Sequence, residues 1–398
     1  MYRLKLDDDW LFNADLPDYS IEKGTLTLEA NKLGTLKFTV YDTNPAYQDI
    51  RKLTSLITVY RDSEIIWLGR PIKSKLNFKG GVEYTCEDIL AKLNDIKRRP
   101  SYSKTTEGLY IQELMTDYNT RAGTAPETVT DARKVRIVMG STPHSGDDAN
   151  LEFFNDDYIG YWDLMQTKVV ETYGGYIKPT YSADRVTIDY VGDEDLLESG
   201  QSIQFGENLD NLFVETDGNE TFSVLIPLGA DVNNPSAQGE MSKNTPLTIK
   251  GDSRSGGRDY IESAEGIEIY GRRETTMVWD DISTASALYD KGLEYLTENA
   301  IKLAEKITLT AIDLRYAGVN VEYLDFLKRV LVVSKKHGLT KKYPLRKMTI
   351  SLNTPTASKI EMGDEQNTLT DMMLANVANA NGSYSKLSAR VFSLENPN

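Results

Sequence analysis

Apolar residues recur along this chain with two different periods, and the switches between them mark its elements. Leu36, Phe38 and Val40 alternate with Lys37, Thr39 and Tyr41, the two-residue period of a half-buried strand. Asn44-Pro45 ends that run. Leu56 to Tyr60 and Ile65 to Leu68 flank Arg61-Asp62-Ser63-Glu64, which predicts a hairpin. Leu76, Phe78, Val82 and Tyr84 continue the sheet across a break at Gly80-Gly81. Ile89, Leu90, Leu93 and Ile96 then share one face of a helix expected from Glu87 and closed by Arg98-Arg99-Pro100.

Residues 101–200 read as a mixed segment. Ile111, Leu114, Met115 and Tyr118 have helical spacing, and a second helix is expected from Tyr161 to Tyr173 with Leu164, Met165, Val169 and Val170 inward. Gly174-Gly175 stops it, and strands follow at Tyr176–Lys178 and Arg185–Tyr190. Residues 140–150 form a polar loop. Gly229 to Asp259 reads as loops around one strand, Leu247–Ile249. Ser283 is placed to cap a helix from Thr284 to about Glu305, with Leu288, Leu293, Leu296 and Ala300 inward, and strands resume at Ile307. A short helix with Leu369, Met372, Met373 and Val377 precedes a C-terminal linker.

Two stretches resemble each other. Leu36–Asp42 and Ile307–Asp313 are alternating strands closed by Asp. Downstream, Ile57–Tyr60 matches Val330–Val333, and Lys73–Phe78 matches Arg346–Leu352, in the same order. The simplest reading is two similar β modules separated by acidic inserts. The competing reading is that antiparallel hairpins look alike. The expected class is α+β, a β-rich multidomain chain of two antiparallel β modules with mixed α/β accessory domains. The expected boundaries are 1–98 for the first β module, 99–200 for an α/β insert, and 201–255 with 306–363 for the second module. A helical insert occupies 256–305, and a C-terminal helix and linker 364–398. In a trimer, two modules per chain would give six similar units around an axis.

Composition narrows the function. The chain has 398 residues, 40% hydrophobic and 26% charged, enough for more than one core. No apolar run reaches membrane-span length, and the charged N-terminus lacks a signal sequence, so synthesis in a cytoplasm is expected. The net charge is −15, with the acid concentrated in 101–306 and a basic stretch from Lys328 to Lys347 that reads as strands rather than a phosphate site. Chemistry is sparse. Of two histidines, His144 would need Asp147 or Asp148 plus a third ligand to hold zinc, and His337 reads as a turn residue. Cys86, the single cysteine, has no histidine near it in sequence and reads as a core residue. Asp7-Asp8-Asp9 and Asp193-Glu194-Asp195 read as acidic turns rather than calcium loops. Tyr158, Tyr161 and Trp162 form the densest aromatic cluster, read as core packing in preference to a glycan site. No catalytic residue, cofactor or metal ligand is assigned.

The stretch Ile203-Gln204-Phe205-Gly206-Glu207-Asn208-Leu209, followed by Thr221 to Ala230 with Ile226-Pro227-Leu228-Gly229-Ala230 at its end, resembles the prophage tail endopeptidase family, also called tail-associated lysins. Further elements agree in order. They are Ile269-Tyr270-Gly271, then Val278-Trp279-Asp280-Asp281, Leu309–Leu314, Val330–Ser334 with His337-Gly338-Leu339, and Asn353–Pro355 with Met362–Asp364. The similarity is good over 203–364 and weak before it. It implies tube-type β-barrel modules like those of the contractile-phage central baseplate hub, with two accessory domains. It also implies a homotrimer at the virion tail tip below the distal tail protein, near the tape-measure protein, forming a conduit for phage DNA without sequence-specific binding. In the family, cell-wall cleavage belongs to a separate C-terminal domain, and only 34 residues follow Asp364 here. A structural role is therefore expected, with a peptidoglycan hydrolase or a host-surface glycan-binding module as alternatives. The motif residues Ile203, Phe205, Gly206, Asn208, Leu209, Ile226, Pro227, Leu228, Gly229, Ala230, Trp279 and Asp280 are expected to be structural, with Val224–Ile226 a strand ended by Pro227 and Gly229 permitting a turn.

Overall fold

The computed structural model describes residues 1–123, 135–146, 151–217, 221–234, 243–279, 282–299 and 304–363. The expected C-terminal helix, with Ala300, Asp147, Asp148 and Asp280, lies outside the described residues. The chain forms two compact units, one of Met1–Phe213 with Ile307–Gly363 and one built on Val214–Lys306.

In the first unit, β1 (Tyr2–Leu6), β2 (Asp9–Asn13), β3 (Glu22–Glu29), β4 (Thr35–Val40), β5 (Ile57–Arg61), β6 (Glu64–Leu76) and β7 (Val82–Asp88) lie in the order β3-β4-β7-β6-β5-β1-β2. All pair antiparallel. The alternation along β4 is the cause of its place: Leu36, Phe38 and Val40 are buried in the core. The β5–β6 hairpin turns at Asp62, whose φ of 55° is a left-handed conformation that Asp tolerates. The helix expected from Glu87 is instead the last residues of β7 and a short 3-10 turn, Ile89–Asn94, capped by the Asp88 side chain on Leu90 N at 2.9 Å. Its apolar residues are all drawn into the core, and no polar face is left to sustain a longer helix.

The insert then supplies β8 (Lys97–Arg98), β9 (Ser101–Thr105), α1 (Glu107–Ala122), β10 (Arg136–Met139), β11 (Leu151–Asn155) and β12 (Ile159–Gly160). Next come α2 (Tyr161–Met165), a π turn (Gln166–Val170) and α3 (Glu171–Tyr173), then β13 (Tyr176–Tyr181) and β14 (Arg185–Val191). The sheet β10-β14-β13 is backed by α1, whose Thr106 cap and left-handed Gly123 set its ends. Tyr110, Ile111, Leu114, Met115 and Tyr118 form its buried face. Tyr161 and Trp162 are buried with them, while Tyr158 is exposed, so the aromatic cluster is largely core.

The chain returns as β15 (Ile203–Gln204) and β16 (Leu209–Asp217). It crosses to the second unit for β17 (Val224–Asn234), β18 (Lys243–Thr248), β19 (Ile261–Glu262), α4 (Ala264–Tyr270), β20 (Glu274–Trp279) and α5 (Ala285–Asn299). It comes back as β21 (Ala304–Ala311), β22 (Arg329–Ser334), β23 (Leu339–Ser351) and β24 (Lys359–Gly363). In the second unit β17 pairs with β18, β19 and β20, and α5 packs on that sheet through Leu288 and Leu296. Residues 224–248, read from sequence with the second β module, thus pair inside the second unit. Three details differ from expectation. Ala304 and Glu305, expected at the end of the helix, belong to β21, and Leu293 is exposed rather than inward. Residues 229–234 are strand, not loop.

The second half of the first unit runs β16-β21-β24-β23, with β22 on β23 and β15 on β22. In strand order this repeats β3-β4-β7-β6-β5-β1, including the 13-residue β6 and β23. The modules differ in three ways: β1 is antiparallel to β5 whereas the two-residue β15 is parallel to β22, β2 has no counterpart among the described residues, and β16 reaches β21 through the second unit where β3 reaches β4 by a short turn. One continuous core holds both, from Leu4, Phe38 and Trp67 to Val332, Leu345 and Ile350.

Candidate functional site

The sequence motifs fall in both units. In the first, β15 sets Ile203 opposite Val332, fully buried, and Phe205 N donates to Val333 O at 3.0 Å. Gly206, at φ 89°, allows the chain to reverse. Asn208 is 2% exposed and closes the turn. Its Oδ1 accepts from Gln204 N at 2.9 Å, and its Nδ2 donates to Ser202 O at 3.0 Å. The buried Gln201 beside it donates to Asp313 Oδ1 and Glu322 O, and accepts from Leu314 N, at 2.8–2.9 Å. These bonds tie 201–208 to the loop after β21, so the motif fixes backbone rather than presenting a reactive group. Leu209 is half-buried at the start of β16. Phe205 projects, 55% exposed, against His337 and Lys336.

In the second unit Ile226, Pro227, Leu228, Gly229 and Ala230 lie inside β17, in register with β20 from Thr276 at Ile226 to Trp279 at Gly229. Pro227 therefore does not end the strand. It falls between the last residue paired with β19, Leu225, and the first paired with β18, Leu228, where that edge has no ladder to break. Gly229 serves close approach, not a turn: a Cβ there would lie 2.6 Å from Ile282 O. Ala230 N donates to the same carbonyl at 2.9 Å. Trp279 packs edge-on against Tyr295.

Groups with catalytic potential are engaged elsewhere. Cys86 is buried, and burial pushes its thiol up, away from a reactive thiolate. His337 Nδ1 lies 2.6 Å from Ser334 Oγ, but Ser334 is fully buried and the pair closes the β22–β23 turn. The acidic turn residues have partners: Asp7 accepts from Leu56 N, Asp193 from the Tyr176 hydroxyl, and Glu198 pairs with Lys342. Residues 193–198 are therefore not a bare acidic field.

What the first unit does offer is strand edges. The later half of β23 carries β24 on one side and β3 on the other, with Met348 opposite both Ile360 and Leu28. In the equivalent half of β6, Arg70–Leu76 carries β7 on one side. Leu53 N reaches Pro71 O, and beyond it, among the described residues, no strand pairs with the other edge from Lys73 to Leu76. β16, the counterpart of β3, ends the sheet, with no strand beyond it among the described residues. Lys73, Lys75 and Leu76 are exposed on β6, Phe78 is fully exposed on its hairpin, and Asp210 and Phe213 are exposed on β16.

Residues 197–373 match the family described as Prophage endopeptidase tail. No curated protein matches the chain. Among solved structures, the 43 kDa tail protein of prophage MuSo2 from Shewanella oneidensis is similar, at 12% identity, 91% of this chain, 97% of that one and a TM-score of 0.57. The tail protein from Neisseria meningitidis MC58 is similar at 13% identity, 93% of this chain, 98% of that one and a TM-score of 0.55. The chain thus has the fold of prophage tail proteins and, over residues 197–373, the sequence pattern of the prophage endopeptidase tail family.

Proposed function

We propose that the chain is a tail-tip hub, three copies of which close a ring of six β modules that caps the tail tube and passes DNA through its lumen. The observation that carries this reading is the in-chain contact of β3 with β23, set beside equivalent edges on β16 and β6 that carry no strand among the described residues. Joining β16 of one copy to the Lys73–Leu76 edge of the next repeats that contact head to tail, and in a closed ring every such edge is paired. Charge favours the join. Lys347 sits opposite Glu29 near the end of β3, and the same antiparallel register would set the end of β16, which reads Glu215-Thr216-Asp217, beside Lys73 and Lys75. Three chains of two modules match a sixfold tube by pseudo-symmetry. The distal tail protein and the tape-measure protein are the partners above and within the ring.

The role is structural, without peptidoglycan cleavage by these residues. Mixing the chain with the distal tail protein of the same phage is expected to give a complex on size exclusion, and a chain that stays apart from it would overturn the hub reading. Incubation with purified cell wall is expected to release no fragments. Release of peptide or glycan fragments would restore the hydrolase.

A further inference from the structure

The insert contains a donor cluster that the hub role does not use. The loop 140–146 is pinned to the end of β14: Tyr190 N donates to Ser141 O at 2.9 Å and His144 N to Tyr190 O at 3.3 Å. This brings the His144 imidazole into a cradle of glycines. A Cβ on Gly175 would lie 2.4 Å from its Cδ2, and one on Gly192 2.5 Å from its Nδ1, while Tyr190 packs edge-on at 5.1 Å. Only glycine at these two positions leaves room for the ring, so its orientation is built into the fold.

That orientation sets up an electrostatic conflict. Nε2 lies 3.3 Å from Tyr173 O, a carbonyl that can only accept, so Nε2 carries the hydrogen. Nδ1 then points its lone pair at Glu194 Oε1, 3.2 Å away, and a carboxylate also only accepts. Asp195 lies on the same side, and the three potential ligand atoms sit within 4.8 Å of one another. One Asp195 oxygen is held by Gly192 N at 2.8 Å. Something positive must stand between Nδ1 and the carboxylates, either a proton or a metal ion.

We propose that His144 Nδ1, Glu194 and Asp195 bind a zinc-class divalent cation, with water completing its shell. One imidazole nitrogen and two carboxylate oxygens suit zinc better than magnesium or calcium, which prefer oxygen alone. A carbonyl on the far ring nitrogen is the usual way a metal-bound histidine is oriented. Glu194 is 69% exposed on its side chain, so the ion has a path from solvent. Bound there, it would clamp the 140–146 loop to the turn after β14.

The full chain, stripped with a chelator, is titrated with zinc chloride by calorimetry and followed by thermal melting. One zinc per chain is expected, with a raised Tm, and no effect of magnesium at the same concentration. His144→Ala is expected to weaken binding at least tenfold. Glu194→Gln, at an exposed position that the fold does not need, is expected to do the same if His144→Ala fails to fold. Wild type and Glu194→Gln binding zinc alike, or wild type binding none, would overturn the site and leave an imidazolium–carboxylate pair.

Discussion

Asp88 sits where three segments of the first unit meet. It is 2% exposed, its backbone N donates to Gly34 O at 2.9 Å, and its carboxylate accepts from Leu90 N and, at 2.6 Å, from the Tyr181 hydroxyl of the insert. Burial pushes its carboxyl up to about 7 from 3.8, against the lowering effect of those hydrogen bonds. The folded chain therefore takes up a proton that the unfolded chain lacks between about pH 4 and about pH 7. That contribution to stability is present below the unfolded value and lost as pH rises through the folded one, by up to about 4 kcal/mol. Asp88→Asn is expected to flatten this part of the pH–stability curve, so its stability gains on wild type as pH rises. Parallel curves would refute the assignment. Gly69 is a second point of tension: a Cβ there would lie 2.0 Å from Trp67 Cη2 and 2.4 Å from Glu87 O. Gly69→Ala is expected to cost about 1–3 kcal/mol in denaturant unfolding, from overpacking around a fully buried tryptophan. Neither residue stood out in the sequence. Tyr181 is 93 residues from Asp88, and Glu194 is 50 from His144, so their meetings depend on the fold, not on spacing.

Elements with one buried face were legible. β4 and α1 follow their apolar periods, because each places one side on a core and the other toward water, while the β5–β6 hairpin is marked by its length and turn, since β5 is buried on both faces. β17 was not. Its Pro-Leu-Gly sequence reads as a strand end, yet a parallel partner on one side and a gap between two antiparallel partners on the other let it continue. The 3-10 turn at Ile89–Asn94 was overread as a helix because Ile89, Leu90 and Leu93 have helical spacing, yet Ala91 and Lys92 between them are buried as well, so the turn has no solvent face, and Ile96 lies beyond it. Strand edges are where function is proposed, and they carry their own prediction. Reversing both charges on the free edge of β6, Lys73→Glu with Lys75→Glu, is expected to weaken self-association at least tenfold while changing the stability of the isolated chain by under about 0.5 kcal/mol, since both side chains are exposed. Analytical ultracentrifugation with matched melts separates the two, and unchanged association would remove this edge from the interface.

At the scale of the whole molecule, the repeat was visible in three pairs of segments, and the sheet order extends it to six strands in each module. What sequence could not show is that the two modules share one core and join through β3 and β23, because that contact links residues more than 300 positions apart. In the proposed ring the outer edge of β16 and the Lys73–Leu76 edge of β6, neither of which carries a strand among the described residues, pair head to tail between copies. The most direct test is the mass of the pure chain in solution as concentration rises. A closed ring predicts a plateau at three times 44.7 kDa, abolished by the double reversal on β6. A chain that remains at 44.7 kDa at every concentration, or that grows without a plateau, would contradict it.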